Sequence, residues 1–254
     1  MRLGGYEKLT LQDYPGYVAA ICFTSGCQLR CPYCHNAGLV LANAQTSDMD
    51  EKAPETEFLS YVQQRRNLLT AVVVSGGEPL LHSDILDFLR VLQGLGLKVK
   101  LDTNGLSPRR LQDALEQGLV DYVALDFKNC KKYWAQTVGL PASTEQRTVD
   151  GLYENWQSSL ALLRRGQVPY EIRTTVVREL HPYAALKEMA ELIAFAGSGQ
   201  EEQWFLQPFA KNGPVINDFL KKGERASLSS YVDGEMKEIQ QQLKILVPGI
   251  RLRI

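Results

Sequence analysis

Six short apolar runs, at residues 18–23, 71–75, 97–102, 122–127, 171–177 and 204–207, alternate along this chain with longer stretches of helical period. The runs are too short for buried helices and rich in β-branched residues, so they read as strands covered on both faces. Helices are predicted at 55–66, 83–93, 108–117, 149–165 and 184–195. Ser83 with Asp84 and Ser107 with Pro108 suit helix starts, and Gly94 and Gly118 the corresponding stops. Such alternation calls for parallel βα units with right-handed crossovers. Six units fall short of the eight that close a full barrel, so an α/β fold is expected, a partial (β/α)6 TIM-like barrel.

A chain of 254 residues suits one domain, 1–254, which would bury roughly 70 to 75% of its unfolded surface. Its core is expected at about 9–209. A C-terminal extension, 210–254, carries a helix near 234–246 and a strand at 249–254, packed on an edge or mouth of the sheet. The polar, acidic stretch 41–56 reads as a mobile loop. A charged fraction of 22% and a net charge of -1 argue against nucleic-acid binding, which needs clustered Lys and Arg. No run of 18 apolar residues suggests a membrane span. Sparse cysteine and no apolar leader at the start favour a reducing, cytoplasmic setting.

Ligands of parallel α/β folds collect beyond the carboxyl ends of the strands. After the first strand come Cys27, Cys31 and Cys34, and after the second Ser75-Gly76-Gly77-Glu78-Pro79. Asp102-Thr103-Asn104-Gly105 follows the third, Asp126 and Lys128 close the fourth, Arg173 lies on the fifth and Gln207 ends the sixth. Every polar cluster falls on one rim.

Three thiolates in one loop can hold three irons of a cubane cluster and leave the fourth iron open. The alternatives are a structural zinc, with His35 as an awkward adjacent fourth ligand in a non-catalytic binding module, or a disulfide. Cys22 reads as a buried small hydrophobe. Cys130, beside Lys131 and Lys132, is a candidate for a lowered pKa. Trp134 and Trp156 read as packing residues, and His82 and His181 are expected on loops or helix starts without a catalytic role.

Gly76 and Gly77 let the backbone approach a ligand, and Glu78 could accept from an ammonium. Asp102 or Asn104 could hold ribose hydroxyls, and Lys128 and Arg173 a carboxylate. Asp102 and Asp126 would repel each other unless a cation lay between them. Taken singly, these motifs also read as turns or structural ion pairs; their joint placement beside the cysteine loop favours a binding site.

The Cys-x3-Cys-x2-Cys loop, with Tyr33 before its last cysteine, and Gly76-Gly77-Glu78 resemble the radical S-adenosylmethionine superfamily. The resemblance covers roughly 9–209. It implies a 4Fe-4S cluster on Cys27, Cys31 and Cys34 that binds S-adenosylmethionine and cleaves it reductively to a 5'-deoxyadenosyl radical. By the same resemblance Tyr33, Asn36, Gly76, Gly77, Glu78, Asp102, Asn104, Lys128, Arg173 and Gln207 would bind the cofactor.

Asp13-Tyr-Pro-Gly16, Cys34-His35-Asn36, Asp102-Thr-Asn-Gly105 and Leu125-Asp-Phe-Lys128 are similar to the glycyl-radical-enzyme activases. The nearest likeness is to activating proteins of anaerobic ribonucleoside-triphosphate reductase. Flavodoxin or ferredoxin is the implied electron donor, and a glycyl-radical enzyme the implied partner. Another protein, a peptide or a small molecule is the alternative substrate. In pyruvate formate-lyase activase the residues matching Asp102, Thr103 and Asp126 belong to a monovalent-cation site. Tyr14 stands where that enzyme has glycine, and Gln207-Pro-Phe-Ala210 lacks its histidine. No cysteine-rich insertion follows Asn36, so no further cluster is expected.

Overall fold

The computed structural model describes residues 1–41, 53–195, 202–220 and 225–253. Most of the stretch predicted as a mobile loop, at 42–52, lies outside them, as does Ile254 at the end of the last predicted strand.

The chain begins with β1 (Leu3–Thr10), which matches none of the predicted runs. Leu3 and Thr10 are buried at its ends while most residues between them are partly or fully exposed, so it lacks the apolar run that marks the other strands. It pairs antiparallel with β2 (Ala19–Thr24), with register shifts between Leu3 and Gly5 and between Glu7 and Thr10. Tyr6 of β1 reaches residues 57 and 58, its ring lying 5.4 Å from Phe58 and its hydroxyl donating to Glu57 Oε1 at 2.7 Å.

The predicted strands appear within one residue of expectation: β2, β3 (Ala71–Gly76), β4 (Lys98–Thr103), β5 (Tyr122–Asp126), β6 (Tyr170–Val176) and β7 (Trp204–Pro208). With β1 and β8 (Ile250–Leu252) they form a mostly parallel eight-stranded sheet in chain order. The helices are α1 (Ala37–Leu41), α2 (Ala53–Gln64), α3 (Ile85–Gly94), α4 (Pro108–Glu116), α5 (Lys131–Thr137), α6 (Gln146–Leu163), α7 (Tyr183–Phe195) and α8 (Asp233–Leu243). The α/β class expected from the alternation is therefore the class observed. Among the described residues no helix is long and apolar enough to cross a membrane.

The chain divides into two compact units, one of residues 1–28, 38–124 and 158–169, the other of 29–37, 125–157 and 170–254. In the first unit β2, β3 and β4 run parallel, with Ala19 opposite Ala71, Ala71 opposite Lys98 and Thr24 opposite Gly76. Val72, Val73, Val74 and Leu101 are fully buried, each contributing about 1.5–3 kcal/mol.

In the second unit β7 lies between β6 and β8. Phe127 stacks on Trp156 at 3.9 Å, and Trp134 meets Tyr153 edge-on at 5.1 Å. Both tryptophans are fully buried, as the packing reading expects.

Candidate functional site

In the first unit the strand register sets Thr24, at the end of β2, beside Gly76 at the end of β3. Thr24 and Gly26 then accept hydrogen bonds from the backbones of Gly77 and Glu78, both at 2.9 Å. The arm leading to Cys27 thus lies flat on the glycine pair. Gly76 has φ +116, and a Cβ on Gly77 would stand 1.9 Å from the Gly26 carbonyl oxygen. Here the two glycines admit the chain's own backbone.

Glu78 is fully buried, and its carboxylate accepts from Leu80 N at 3.1 Å, Thr103 Oγ1 at 2.7 Å and Asn104 N at 2.7 Å. Such charge-assisted bonds fix the loop after β4 to the loop after β3. Asn104 uses its Oδ1 to cap Leu106 N at 3.0 Å and points its Nδ2 at Cys27 Sγ, 3.7 Å away. Asp102 accepts from Ser75 Oγ at 3.1 Å and faces Lys100 Nζ at 3.7 Å.

In the second unit the other two cysteines sit on a tight turn, Cys34 N donating to Cys31 O at 3.0 Å. Backbone bonds hold this turn: Arg30 N donates to Val138 O, Ile216 N to Cys34 O and Asn217 N to Pro32 O, all at 2.9–3.1 Å. Gly139, at φ +71, leaves room for Arg30, whose carbonyl oxygen would lie 2.0 Å from a Cβ there. His35 Nε2 lies 2.6 Å from Ala210 O, and its ring stacks on Phe209 at 5.7 Å. Sequence reasoning missed Gly139 and Asn217, because their partners are backbone groups far away in the chain.

Burial pushes the Cys34 thiol up, opposed by the Asn36 N–H and by Lys128. Asn36 is half-buried, while Gln207 is exposed on β7. Burial also pushes up the Cys130 thiol, to about 11, against the lowered value expected from its lysine neighbours. Lys131 instead pairs with Asp150 at 2.8 Å, leaving Cys130 shielded under the start of α5.

Asp126 is the anchor of the second unit's charges. Lys128 Nζ lies 2.9 Å and Arg173 Nη2 3.1 Å from its carboxylate. Burial opposes its charge, but these two cations hold it below the ordinary aspartate value. Burial works against the Lys128 ammonium too, and Asp126 holds it well above the usual lysine value. The carboxylate partner shown for Lys128 and Arg173 is therefore one of the chain's own.

Buried His181 supports Lys128 from behind. Val177 N donates to His181 Nδ1 at 3.1 Å, which leaves Nε2–H to donate to Lys128 O at 2.7 Å. Tyr33 meets the imidazole ring edge-on at 6.4 Å. Burial lowers the His181 pKa from 6.5 to about 4. The unfolded chain then takes up a proton first as pH falls, so stability is full above pH 6.5 and drops by about 3 kcal/mol on the way to about pH 4. Urea midpoints across that range should show the loss, and His181→Gln should remove most of it. An unchanged slope in the variant would assign the loss to other groups.

Three observations bear on whether this chain suits an iron-sulfur cluster and S-adenosylmethionine. All three loop cysteines are free thiols rather than disulfides. The Asn104 amide already points at one of their sulfurs, as donors to cluster thiolates do. The Tyr33 hydroxyl is buried without a hydrogen-bond partner among the described residues. Those residues contain no group of three His, Cys, Asp or Glu side chains placed to hold a single metal ion. A cubane asks for something different, one thiolate on each of three irons. The donor set fits.

Residues 21–196 match the family model described as the Radical SAM superfamily. Over 252 residues the chain is 28% identical to a candidate glycyl-radical enzyme activating enzyme of Methanocaldococcus jannaschii, covering 99% of this chain and 95% of that protein. Over 103 residues it is 35% identical to the pyruvate formate-lyase-activating enzyme of Staphylococcus epidermidis, covering 40% and 41% of the two. The solved SuiB of Streptococcus suis superposes with TM-score 0.59 at 13% identity, over 92% of this chain and 48% of that one. A domain of the pyruvate-formate lyase-activating enzyme from Bacteroides vulgatus gives TM-score 0.50 at 16% identity, over 72% and 99%. At such identities the two structures bear on the fold alone.

Proposed function

Because the chain belongs to the radical SAM superfamily, we propose that it is an activase that removes a hydrogen atom from a backbone glycine of a partner enzyme. The observation that carries this reading is the end-to-end likeness to the Methanocaldococcus protein, which leaves almost none of either chain unmatched. The specific partner proposed is anaerobic ribonucleoside-triphosphate reductase, with flavodoxin or ferredoxin as donor and the cytoplasm as location.

The superfamily's 4Fe-4S cluster and S-adenosylmethionine supply the radical chemistry; the protein supplies binding and orientation. Cys27, Cys31 and Cys34 would hold the irons, and the Asn104 amide would stabilise charge on the Cys27 sulfur. Glu78 keeps Asn104 in place through its backbone N–H. Gly76 and Gly77 seat the arm that carries Cys27. Lys128 and Arg173, fixed by Asp126, would present positive charge to the carboxylate of the methionyl group. Asn36, Asp102 and Gln207 would orient the rest of the cofactor, and Tyr33 would pack beside the cluster.

Anaerobic incubation with reductant, S-adenosylmethionine and the reductase should produce a glycyl-radical doublet in the electron paramagnetic resonance spectrum. If a different glycyl-radical enzyme gives the doublet and the reductase does not, the proposed partner is wrong. If none gives it while S-adenosylmethionine is still cleaved, the substrate belongs to another class.

A further inference from the structure

Lys100 has no part in the scheme above, yet it is one of the largest fully buried side chains in the protein. It sits on β4 two residues before Asp102, so both project from the same face of the strand. Its ammonium donates to the Asp13 carbonyl oxygen, lies 3.7 Å from Asp102 Oδ1 and stands 5.6 Å from the centre of the Tyr122 ring. A carbonyl, a carboxylate and an aromatic face thus surround one charge that has almost no access to water.

This arrangement bears on the monovalent cation expected at Asp102, Thr103 and Asp126. The Asp102 carboxylate already has a positive charge beside it, and a second cation there would be repelled by Lys100. Thr103 donates its hydroxyl proton to Glu78 and accepts from Gly105 N at 3.1 Å, leaving one lone pair. In the other unit Asp126 is matched by two cations of its own, Lys128 and Arg173. The residues do not fit a bound ion.

We infer that Lys100 is a built-in counter-cation for Asp102, which takes the place of a bound potassium or sodium ion and frees cofactor binding from any monovalent salt. The inference is independent of which partner is activated, so a failed glycyl-radical assay leaves it standing.

The test compares the cluster-loaded protein in potassium and in choline, a cation too large for such a site. For the wild type, S-adenosylmethionine affinity should differ by less than about twofold between equal ionic strengths, since only general screening is shared. Thallium-205 resonance should show no bound ion. Lys100→Met takes the positive charge away from the buried Asp102 carboxylate, so in choline its melting temperature should fall and its affinity should weaken about tenfold or more. Potassium should restore both as it binds the folded state.

Lys100→Gln, which keeps a donor for the Asp13 carbonyl, should show the same rescue if the methionine variant does not fold. Potassium-dependent affinity or a bound thallium signal in the wild type would overturn the inference. So would normal affinity of either variant in choline. The wild-type comparison decides alone if neither variant folds.

Discussion

Replacing Cys31 with serine is expected to abolish the iron-sulfur absorption and reduce S-adenosylmethionine cleavage to background. A hydroxyl is too hard and too weakly acidic to stand in for the thiolate on iron. Cys31 is also buried, so placing the more polar serine hydroxyl there would itself cost about 1–3 kcal/mol in the folded chain. The same change at Cys22 separates the two effects. Cys22 is fully buried within β2, and burial pushes its thiol far up. Cys22→Ser should therefore lower stability while iron and sulfide content stays that of the wild type. Loss of the cluster in the Cys22 variant and its retention in the Cys31 variant would reverse the assignment.

The second large effect is expected at Gly77. An added methyl group would stand 1.9 Å from the Gly26 carbonyl oxygen and 2.7 Å from its carbon, both backbone atoms that cannot swing aside. Overpacking of this kind costs about 1–3 kcal/mol, and relief requires the arm before Cys27 to move. Gly77→Ala should thus lower the melting temperature and also the iron retained after gel filtration. Gly94→Ala is the control. It lies at the end of α3 with nothing within 4 Å of its added Cβ, so the change should be neutral or stabilise by about 0.4–1 kcal/mol. Full iron retention in Gly77→Ala would show that the glycine pair does not seat the cysteine arm.

Both predictions rest on features of very different legibility in the sequence. The parallel strands were readable because strands covered on both faces become continuous apolar runs, as Ala71 to Val74 do. β1 was not, because its residues between Leu3 and Thr10 are partly or fully exposed and its Gly4-Gly5 pair resembles a turn. The cysteine loop was readable from spacing alone, since its three thiols are close in the chain.

Glu78 shows where local reading stops. Its position after the glycine pair was evident, but Thr103 and Asn104, which turn its carboxylate into a brace, come from the next strand's loop. Lys100 is harder still. In Lys98-Val99-Lys100 it looks like a second solvated lysine, and Lys98 is indeed largely exposed beside Asp121. Only the fold brings Asp13 and Tyr122 to Lys100. His181 gave no chemical signal because its role runs through the Lys128 backbone carbonyl, a group every residue possesses.

The central claim is that Cys27, Cys31 and Cys34 hold a cluster whose fourth iron takes S-adenosylmethionine. Electron paramagnetic resonance of the anaerobically reconstituted, reduced protein tests it most directly. The account predicts a reduced 4Fe-4S signal that changes shape on adding S-adenosylmethionine, as the open iron gains ligands. A chain that binds zinc without sulfide, or a cluster signal indifferent to the cofactor, would contradict it.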